Sequence, residues 1–511
     1  MRVKTNSLLL AAIAAACFLV ASGAAWAAKQ VVAFFPLQNL SDNTIAADVD
    51  RLGRSIGEKL QDRLDVRIMA AAVPDDLTAR RNKARGMGAT YILAGAVSRI
   101  GRSVTLDLTL STVEDPGKGR TLVVTGVDDG ARKGADPPPA YARMATEAAS
   151  RLKYLFFGDE TVGEGAGRRK IPRLSGTVSR SRDIVGDVVS VARNDTDRDG
   201  KMEIVAAYPN DLAVYRMEGD DLVEKARITD AGADFIHVDA ADINRNGIAE
   251  IISVRYVAGK SLSDVWEYDG DSRQYKPIAR DIPYFLRALD IGKDGIVLAA
   301  QESDPVTIHK GPVFRLAPGK YGAAADDRSA ALPLPDGTWI YSFAALNNGG
   351  KTRFATINER DRLNLLDENG KKLWEGMDSV SGTETAVRAP LVFAGKEDGR
   401  QDAKRLFMPN RMFGADLDGD RTDELIVMNN IVTAGAFFEN IRVYSNAEAM
   451  CFAQDGDSLQ LAWRTPQTGS SARDSFIDFS PSGRTLRIGI ASRDKGKILG
   501  QFGEWNLIWL K

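Results

Sequence analysis

Four oxygen-bearing side chains recur at one spacing three times along this chain of 511 residues. Asp195, Asp197, Asp199 and Glu203 form the first set, and Asp242, Asn244, Asn246 and Glu250 the second. Asp416, Asp418, Asp420 and Glu424 form the third. Each set occupies offsets 1, 3, 5 and 9 of a short loop, and an apolar run follows it at 204–207, 251–254 and 425–427. A hard cation such as Ca²⁺ takes six to eight oxygens at about 2.3–2.6 Å. A tight loop with alternate oxygen side chains and the carbonyl at offset 7 supplies them, and Gly200 and Gly247 stand where such a loop must turn sharply. The acid at offset 9 and the strand-like run after it exclude an EF-hand. One copy reads as ordinary Asp/Asn/Gly turn chemistry, whereas three copies in one register point to structural calcium.

Little else in the chain offers chemistry. His237 and His309 are the only histidines and stand in strand-like surroundings without a motif, which reads as a structural role for both. There is no Cys/His metal cluster and no Gly-x-Ser-x-Gly elbow. Gly86, Gly88 and Gly95 come without a Walker lysine or a complete dinucleotide fingerprint and read as turn and strand glycines. The paired carboxylates belong to the three loops, where coordination leaves no free general acid or base. No catalytic residue is expected. Trp266, Trp339, Trp374, Trp463, Trp505 and Trp509 read as core packing ahead of a sugar-stacking platform.

Residues 1–27 carry Arg2 and Lys4, an apolar run from Leu8 to Val20, and the Ala25-Trp26-Ala27 cleavage pattern of a secretory signal peptide. The run is short for a membrane span. Cys17 follows Ala14-Ala15-Ala16, a poor lipobox. Cleavage makes the chain two charges more acidic than its formal −2, which gives no reason to expect nucleic acid or anionic membrane as partner. It also leaves Cys451 as the sole cysteine, so no internal disulfide can form. Export without disulfides suits a bacterial periplasm, with no transmembrane span after cleavage.

The elements that must position the loops begin with an α/β unit at 28–157. A strand at 30–36 precedes an amphipathic helix carrying Val49, Leu52, Ile56, Leu60 and Leu64 at helical spacing. A strand at 66–70, a helix capped by Asp76 and reaching Gly86, a hairpin around Gly101-Arg102, a strand at 121–127 and a helix at 141–155 follow. The sum is an α/β sandwich with a mixed sheet. The stretches from Val32 to Ser41 and from Gly88 to Val97 resemble the TolB amino-terminal-like domain over about residues 30–125. That resemblance implies a bacterial envelope protein in which the domain serves as an interaction module. Residues 158–180 read as a flexible linker, rich in Gly, Glu, Arg and Lys up to Arg173.

From 181 to 511 the loop starts Asp195, Asp242 and Asp416 are joined by weaker relatives at Asp290, Ala345 and Asp478. A unit of this length holds four short strands, one blade of a β-propeller. Six units are visible, and residues 171–192 completing a blade with the carboxy-terminal strands would make seven; seven blades are preferred, with six as the alternative. The long interval after Ala345 contains a charge-rich insert at 383–409 that reads as a surface loop. The loops, above all Asp416-Leu417-Asp418-Gly419-Asp420 with Glu424, and Asp242 to Gly247 after Ala240-Ala241, resemble the FG-GAP or VCBS repeats of integrin-type propellers. The resemblance implies structural calcium at the three intact loops only, and none at the weaker three. Arg421 departs from it by standing where the turn glycine is usual. The resulting expectation is a non-enzymatic, exported envelope scaffold with a calcium-stabilised propeller, binding an envelope protein or a glycan. The alternative is a lectin-like or polysaccharide-lyase-type propeller.

Overall fold

The computed structural model describes residues 29–69, 76–116, 120–127, 139–157, 171–230, 232–317, 328–359, 361–390, 405–432, 442, 444–479, 485–493 and 503–511. The expected signal peptide, Cys17 and linker residues 158–170 lie outside these. Among the described residues no helix is long and apolar enough to cross a membrane. The chain divides into two compact units, 1–153 and 154–511.

In the first unit β1 (Val31–Phe34) lies between β3 (Asp65–Ile68) and β4 (Tyr91–Ile100) and runs parallel to both, and the short β2 (Gln38–Asn39) also runs parallel to β4. β5 (Ser103–Thr112) and β6 (Arg120–Val127) continue the sheet antiparallel, giving the order β3-β1-β4-β5-β6 and the expected mixed sheet. Gly95 of β4 is required by close approach: a Cβ there would meet the Asp107 carbonyl at 2.2 Å. Helix α1 (Ala46–Leu60) buries Val49, Leu52, Ile56 and Leu60, the stripe read from the sequence. Helix α2 (Leu77–Gly86) starts where Asp76 accepts from the backbone of Thr78 and Ala79. Helix α3 (Pro139–Phe157) buries Tyr141, Met144, Ala148 and Leu152, with Met144 packed on Gly126 of β6.

The second unit is built from antiparallel four-stranded sheets. It begins with β7 (Thr177–Arg180) and β8 (Ile184–Val185). Blade 1 is β9 (Ser190–Asn194), β10 (Glu203–Ala207), β11 (Asp211–Glu218) and β12 (Asp221–Thr229). Blade 2 is β13 (Phe235–Ala241), β14 (Glu250–Val257), β15 (Lys260–Asp269) and β16 (Gln274–Ile282). Blade 3 is β17 (Tyr284–Asp290), β18 (Ile296–Asp304), β19 (Ile308–Leu316) and β20 (Arg328–Ala331). Blade 4 is β21 (Phe343–Asn348), β22 (Lys351–Ile357), β23 (Arg362–Leu366) and β24 (Lys372–Ser379). A two-stranded insert of β25 (Ala386–Arg388) and β26 (Arg405–Phe407) follows. Blade 5 is β27 (Met412–Ala415), β28 (Glu424–Val432), β29 (Tyr444–Asp455) and β30 (Ser458–Arg464). Blade 6 is β31 (Ser471–Phe479), β32 (Leu486–Arg493) and β33 (Glu504–Leu510), with β7 as its fourth strand.

The propeller therefore has six blades among the described residues, not the preferred seven. The pairing of the chain's early strands with its last ones does occur, but it completes blade 6: Ser179 pairs with Trp509 and Ile184 with Trp505. Residues 171–192 are divided between that closure and β9, so no strands are left for a seventh sheet. For the same reason the carboxy-terminal part of the expected linker is propeller: Leu174 is buried with Ile426, Ile488 and Leu510. The insert also differs from a plain surface loop. Thr383, Val387, Ala389 and Met408 at its described ends are buried, because β25 and β26 pin them to the core.

The first strands of blades 6, 1, 2, 3, 4 and 5 adjoin in turn, β31 of blade 6 packs on β28 and β29 of blade 5, and side chains stitch each blade to the next. Ser190 Oγ accepts from Val238 N at 3.1 Å, and Asp239 Oδ2 accepts from Ala288 N at 2.8 Å. Arg287 Nη1 donates to the Ile340 and Phe343 carbonyls at 2.9 and 2.6 Å, joining blades 3 and 4. Asp423 Oδ2 accepts from Asn347 N at 2.7 Å, and Asn430 Oδ1 from Ala472 N at 2.8 Å. Asp474 Oδ2 accepts from Val191 N at 2.9 Å and closes the ring. A buried carboxylate is tolerated here because it receives backbone and guanidinium donors together.

Candidate metal centre

All three loops join the first strand of a blade to the second: β9 to β10, β13 to β14, and β27 to β28. They share three backbone hydrogen bonds and one pattern of positive φ. The amide at offset 6 donates to the Asp at offset 1, as Gly200 to Asp195, Gly247 to Asp242 and Arg421 to Asp416, each at 2.9 Å. The amide at offset 2 donates to the Glu at offset 9, as Thr196 to Glu203, Ile243 to Glu250 and Leu417 to Glu424, at 2.8–2.9 Å. The amide at offset 7 donates to the side chain at offset 5, as Lys201 to Asp199, Ile248 to Asn246 and Thr422 to Asp420. Two residues per loop take positive φ, at offsets 4 and 6: Arg198 and Gly200, Arg245 and Gly247, Gly419 and Arg421. Arg421 thus makes the same turn without glycine, at φ 70°.

The acids converge. Carboxylate oxygens of Asp195, Asp197 and Asp199 lie within 4.8 Å of one another, as do those of Asp416, Asp418 and Glu424. The offset-9 acids Glu203, Glu250 and Glu424 are buried at the base of their loops. Burial, reinforced by Glu267 and Asp242, pushes the Glu250 carboxyl up to about 7. Burial, reinforced by Asp418, Asp420 and Asp416, pushes the Glu424 carboxyl up to about 8. Glu250 Oε1 is buried and meets no hydrogen-bond donor among the described residues. The convergent acids of loop 416–424 therefore suit a divalent cation, which would take up oxygens that neighbouring acids disfavour as free anions, and loop 242–250 offers two acids and two amide side chains at the same offsets.

Loop 195–203 differs in what stands over it. Arg216 of β11 pairs with Glu203 across the hairpin, and its guanidinium reaches three of the four acids. Nε lies 3.1 Å from Glu203 Oε1, Nη2 2.9 Å from Asp197 Oδ2, and Nη1 2.7 Å from Asp199 Oδ2. Asp195 Oδ1 is the oxygen left without a partner. The residue in the same relation to Glu250 is Glu267, adjacent to the Ile251–Trp266 pair. Its Oε2 accepts from Asn244 Nδ2 at 3.0 Å and from Asn246 Nδ2 at 2.6 Å. In blade 5 the pair Leu425–Phe452 puts Ala453 across from Glu424.

Neither Arg216 nor Glu267 was found from the loop spacing, because each belongs to another strand. A signal was present: counting outward from the turn at Pro209-Asn210 places Arg216 opposite Glu203. The weaker relatives take other forms. Asn348 and Lys351 flank a tight Gly349-Gly350 turn, and Asp478 is a strand residue held by Arg193 and Arg487. At Asp290 a single 3₁₀ turn, Gly292–Asp294, joins β17 to β18.

Nothing in the spacing of the chain signals the polar cluster on the inner strands. His237 is buried with Nε2 3.1 Å from Asp239 Oδ2, and its ring lies 4.4 Å from that of Tyr341. Arg411 donates to Asp239, Asp474, Ser190 and the Val238 carbonyl. These groups neutralise and orient one another. Trp266, Trp339, Trp463, Trp505 and Trp509 are buried in the blades, so they form no exposed aromatic row.

Residues 195–253, which hold the first two loops, match the family model described as FG-GAP-like repeat. Among curated proteins none matches the chain. Among solved structures it is similar to TolB from Acinetobacter baumannii, with 11% identity over 94% of each chain and a TM-score of 0.27. A subunit of a PelC variant dodecamer from Paraburkholderia phytofirmans is 21% identical over 24% of this chain and 86% of that one, with a TM-score of 0.18. The LpoB C-terminal domain from Salmonella enterica is 17% identical over 22% of this chain and 90% of that one, with a TM-score of 0.17. The stretch that matches the FG-GAP-like repeat model, residues 195–253, thus runs through blades 1 and 2 of a propeller that has six blades among the described residues.

Proposed function

We propose that this chain is an exported, non-catalytic scaffold of the bacterial envelope whose propeller is stabilised by calcium and presents a binding surface for an envelope protein. The observation that carries the reading is the repeated loop with a buried offset-9 acid, which in blades 2 and 5 has no guanidinium opposite it on the next strand. Asp242, Asn244, Asn246 and Glu250 hold one ion, and Asp416, Asp418, Asp420 and Glu424 another. The ion neutralises crowded carboxylates and so ties the first two strands of its blade together. An ion bound only by the folded state adds about 2.7 kcal/mol at a hundredfold excess over its dissociation constant. The axial His, Arg and Asp groups are engaged with one another, which argues against their acting as acid or base. A glycan-binding reading would need exposed aromatic platforms, and five of the tryptophans are core residues.

Calorimetric titration of the mature chain with calcium tests the metal. Binding that weakens in Glu424→Gln and a melting temperature that falls in chelator are expected; no heat and unchanged melting would remove calcium from the reading. Affinity capture from envelope extract tests the scaffold. One saturable protein partner, competed by untagged chain and reduced by chelator, supports it, and capture of purified envelope glycan instead would replace it.

A further inference from the structure

The three loops share one backbone, yet the side chain across the hairpin from the offset-9 acid is different in each. In blade 1 it is Arg216, in blade 2 Glu267 and in blade 5 Ala453. The loop cannot choose this residue; the register of the first hairpin does. Accordingly the same acidic cradle meets a cation in one blade and a further anion in another.

In blade 1 the planar guanidinium spans Asp197, Asp199 and Glu203 with the directed donors a metal lacks. It lies against the oxygens that a calcium ion would need. A divalent ion placed among them would have to expel Arg216 and face its positive charge. In blade 2 the loop has amides at offsets 3 and 5, so Asp242 and Glu250 are its only acids. Glu267 stands beside them on the next strand, and both amide nitrogens donate to it while Asn246 Oδ1 accepts from Ile248 N. One buried carboxylate oxygen meets no donor among the described residues in each of these two loops, Asp195 Oδ1 and Glu250 Oε1, so what separates the loops is the group across the hairpin. Two cations stand nearby. Lys276, the cross-strand neighbour of Glu267, bonds to Asp269 instead, and Arg198 lies over Gly247.

We propose that the residue across the hairpin sets what each loop holds: Arg216 is a built-in cation that excludes metal from loop 195–203, whereas Glu267 in blade 2 and Ala453 in blade 5 leave their loops open to a divalent oxygen-seeking ion. The proposal rests on the calcium reading above but separates from it, because it predicts which loops bind rather than whether any does.

Reciprocal exchange is the test, read as calcium stoichiometry by calorimetry and as melting with calcium or chelator. In the full mature chain, Glu267→Arg should lose one calcium per chain and become less sensitive to chelator. Arg216→Glu should gain one calcium per chain, melt lower than wild type in chelator and recover in millimolar calcium. Adding Asp197→Ala and Asp199→Ala to Arg216→Glu should abolish that gain. If Arg216→Glu does not fold without calcium, refolding by calcium titration gives the same readout, and Glu267→Arg carries the other half. A wild-type chain that loses one calcium on Asp197→Ala with Asp199→Ala overturns the blade 1 assignment. Unchanged stoichiometry in Glu267→Arg overturns the blade 2 assignment. A wild-type chain with no calcium at all, and none gained by Arg216→Glu, overturns both this proposal and the calcium reading, whereas calcium in the wild type that neither exchange alters overturns this proposal alone.

Discussion

Arg411 and Asp474 meet as a two-pronged pair, with Nε 2.9 Å from Oδ1 and Nη2 3.1 Å from Oδ2. Arg411 enters from the segment before blade 5, yet its partners are Asp474 of blade 6, Asp239 of blade 2 and Ser190 of blade 1. Asp474 also accepts from Val191 N and Ser190 Oγ, so one carboxylate ties three parts of the ring. Removing one member leaves a buried charge without its counterion, which costs about 3–5 kcal/mol. Asp474→Ala should lower the unfolding free energy by that order, read from the denaturant midpoint. A loss near that of an exposed pair, under about 1 kcal/mol, would show that the ring does not depend on it.

His237 should give the propeller an acid-side weakness. Burial holds its imidazole below the usual pKa, against the opposing pull of Asp239; Arg411 and Asp474 face the same ring. The unfolded chain takes up a proton near pH 6.5 that the folded chain refuses. The associated stability is therefore present above about 6.5 and is lost as pH falls below it, by up to about 1.4 kcal/mol per pH unit. His237→Gln should flatten the fall in denaturation midpoint between pH 6.5 and 5. Parallel profiles for variant and wild type would mean that another group titrates there.

The loops were legible because their geometry is local. Offsets 1, 5 and 9 within one turn suffice to specify the three backbone hydrogen bonds that the loops share, so even Arg421 keeps the form. Arg216 and Glu267 were not legible from that spacing, since they arrive through strand register. The cluster of Ser190, Asp239, Arg287, Arg411 and Asp474 was less so, because its members come from five different segments and each alone looks like a polar residue in a strand. The blade count erred for a related reason. An opening strand that completes the last sheet has the same pattern as one that begins a new sheet, and only its pairing with β33 distinguishes them.

That pairing is the next test. Ser179 and Trp509 are register partners, Ser181 N donates to the Leu507 carbonyl at 2.9 Å, and Ser175 N donates to the Lys511 carbonyl at 2.6 Å. Without β7, strand β33 keeps only its pairing with β8 at Glu504 and Trp505, and the rest of it becomes an exposed edge. A propeller begun at residue 182 should melt well below one begun at 171 and should self-associate at lower concentration, as measured by scanning calorimetry and sedimentation. Equal melting would assign the closure to side-chain packing between blades.

Arg421 offers a change that should stabilise. Its φ is 70°, in the left-handed region, and its backbone is fixed on both sides. Its amide donates to Asp416, and its carbonyl accepts from Asn347 Nδ2 at 2.9 Å and Gly349 N at 3.1 Å. A side chain with a Cβ costs roughly 1–2 kcal/mol in that conformation, which glycine avoids. Glycine's larger freedom in the unfolded chain offsets about 0.5–1 kcal/mol of the gain. Arg421→Gly should therefore raise stability by roughly 0.5–1 kcal/mol, seen as a higher denaturant midpoint at unchanged slope. The same residue placed at the equivalent turn, Gly200→Arg, should lose a comparable amount. If Arg421→Gly is neutral or destabilising while Gly200→Arg costs the expected amount, the Arg421 side chain contributes contacts that outweigh its backbone strain.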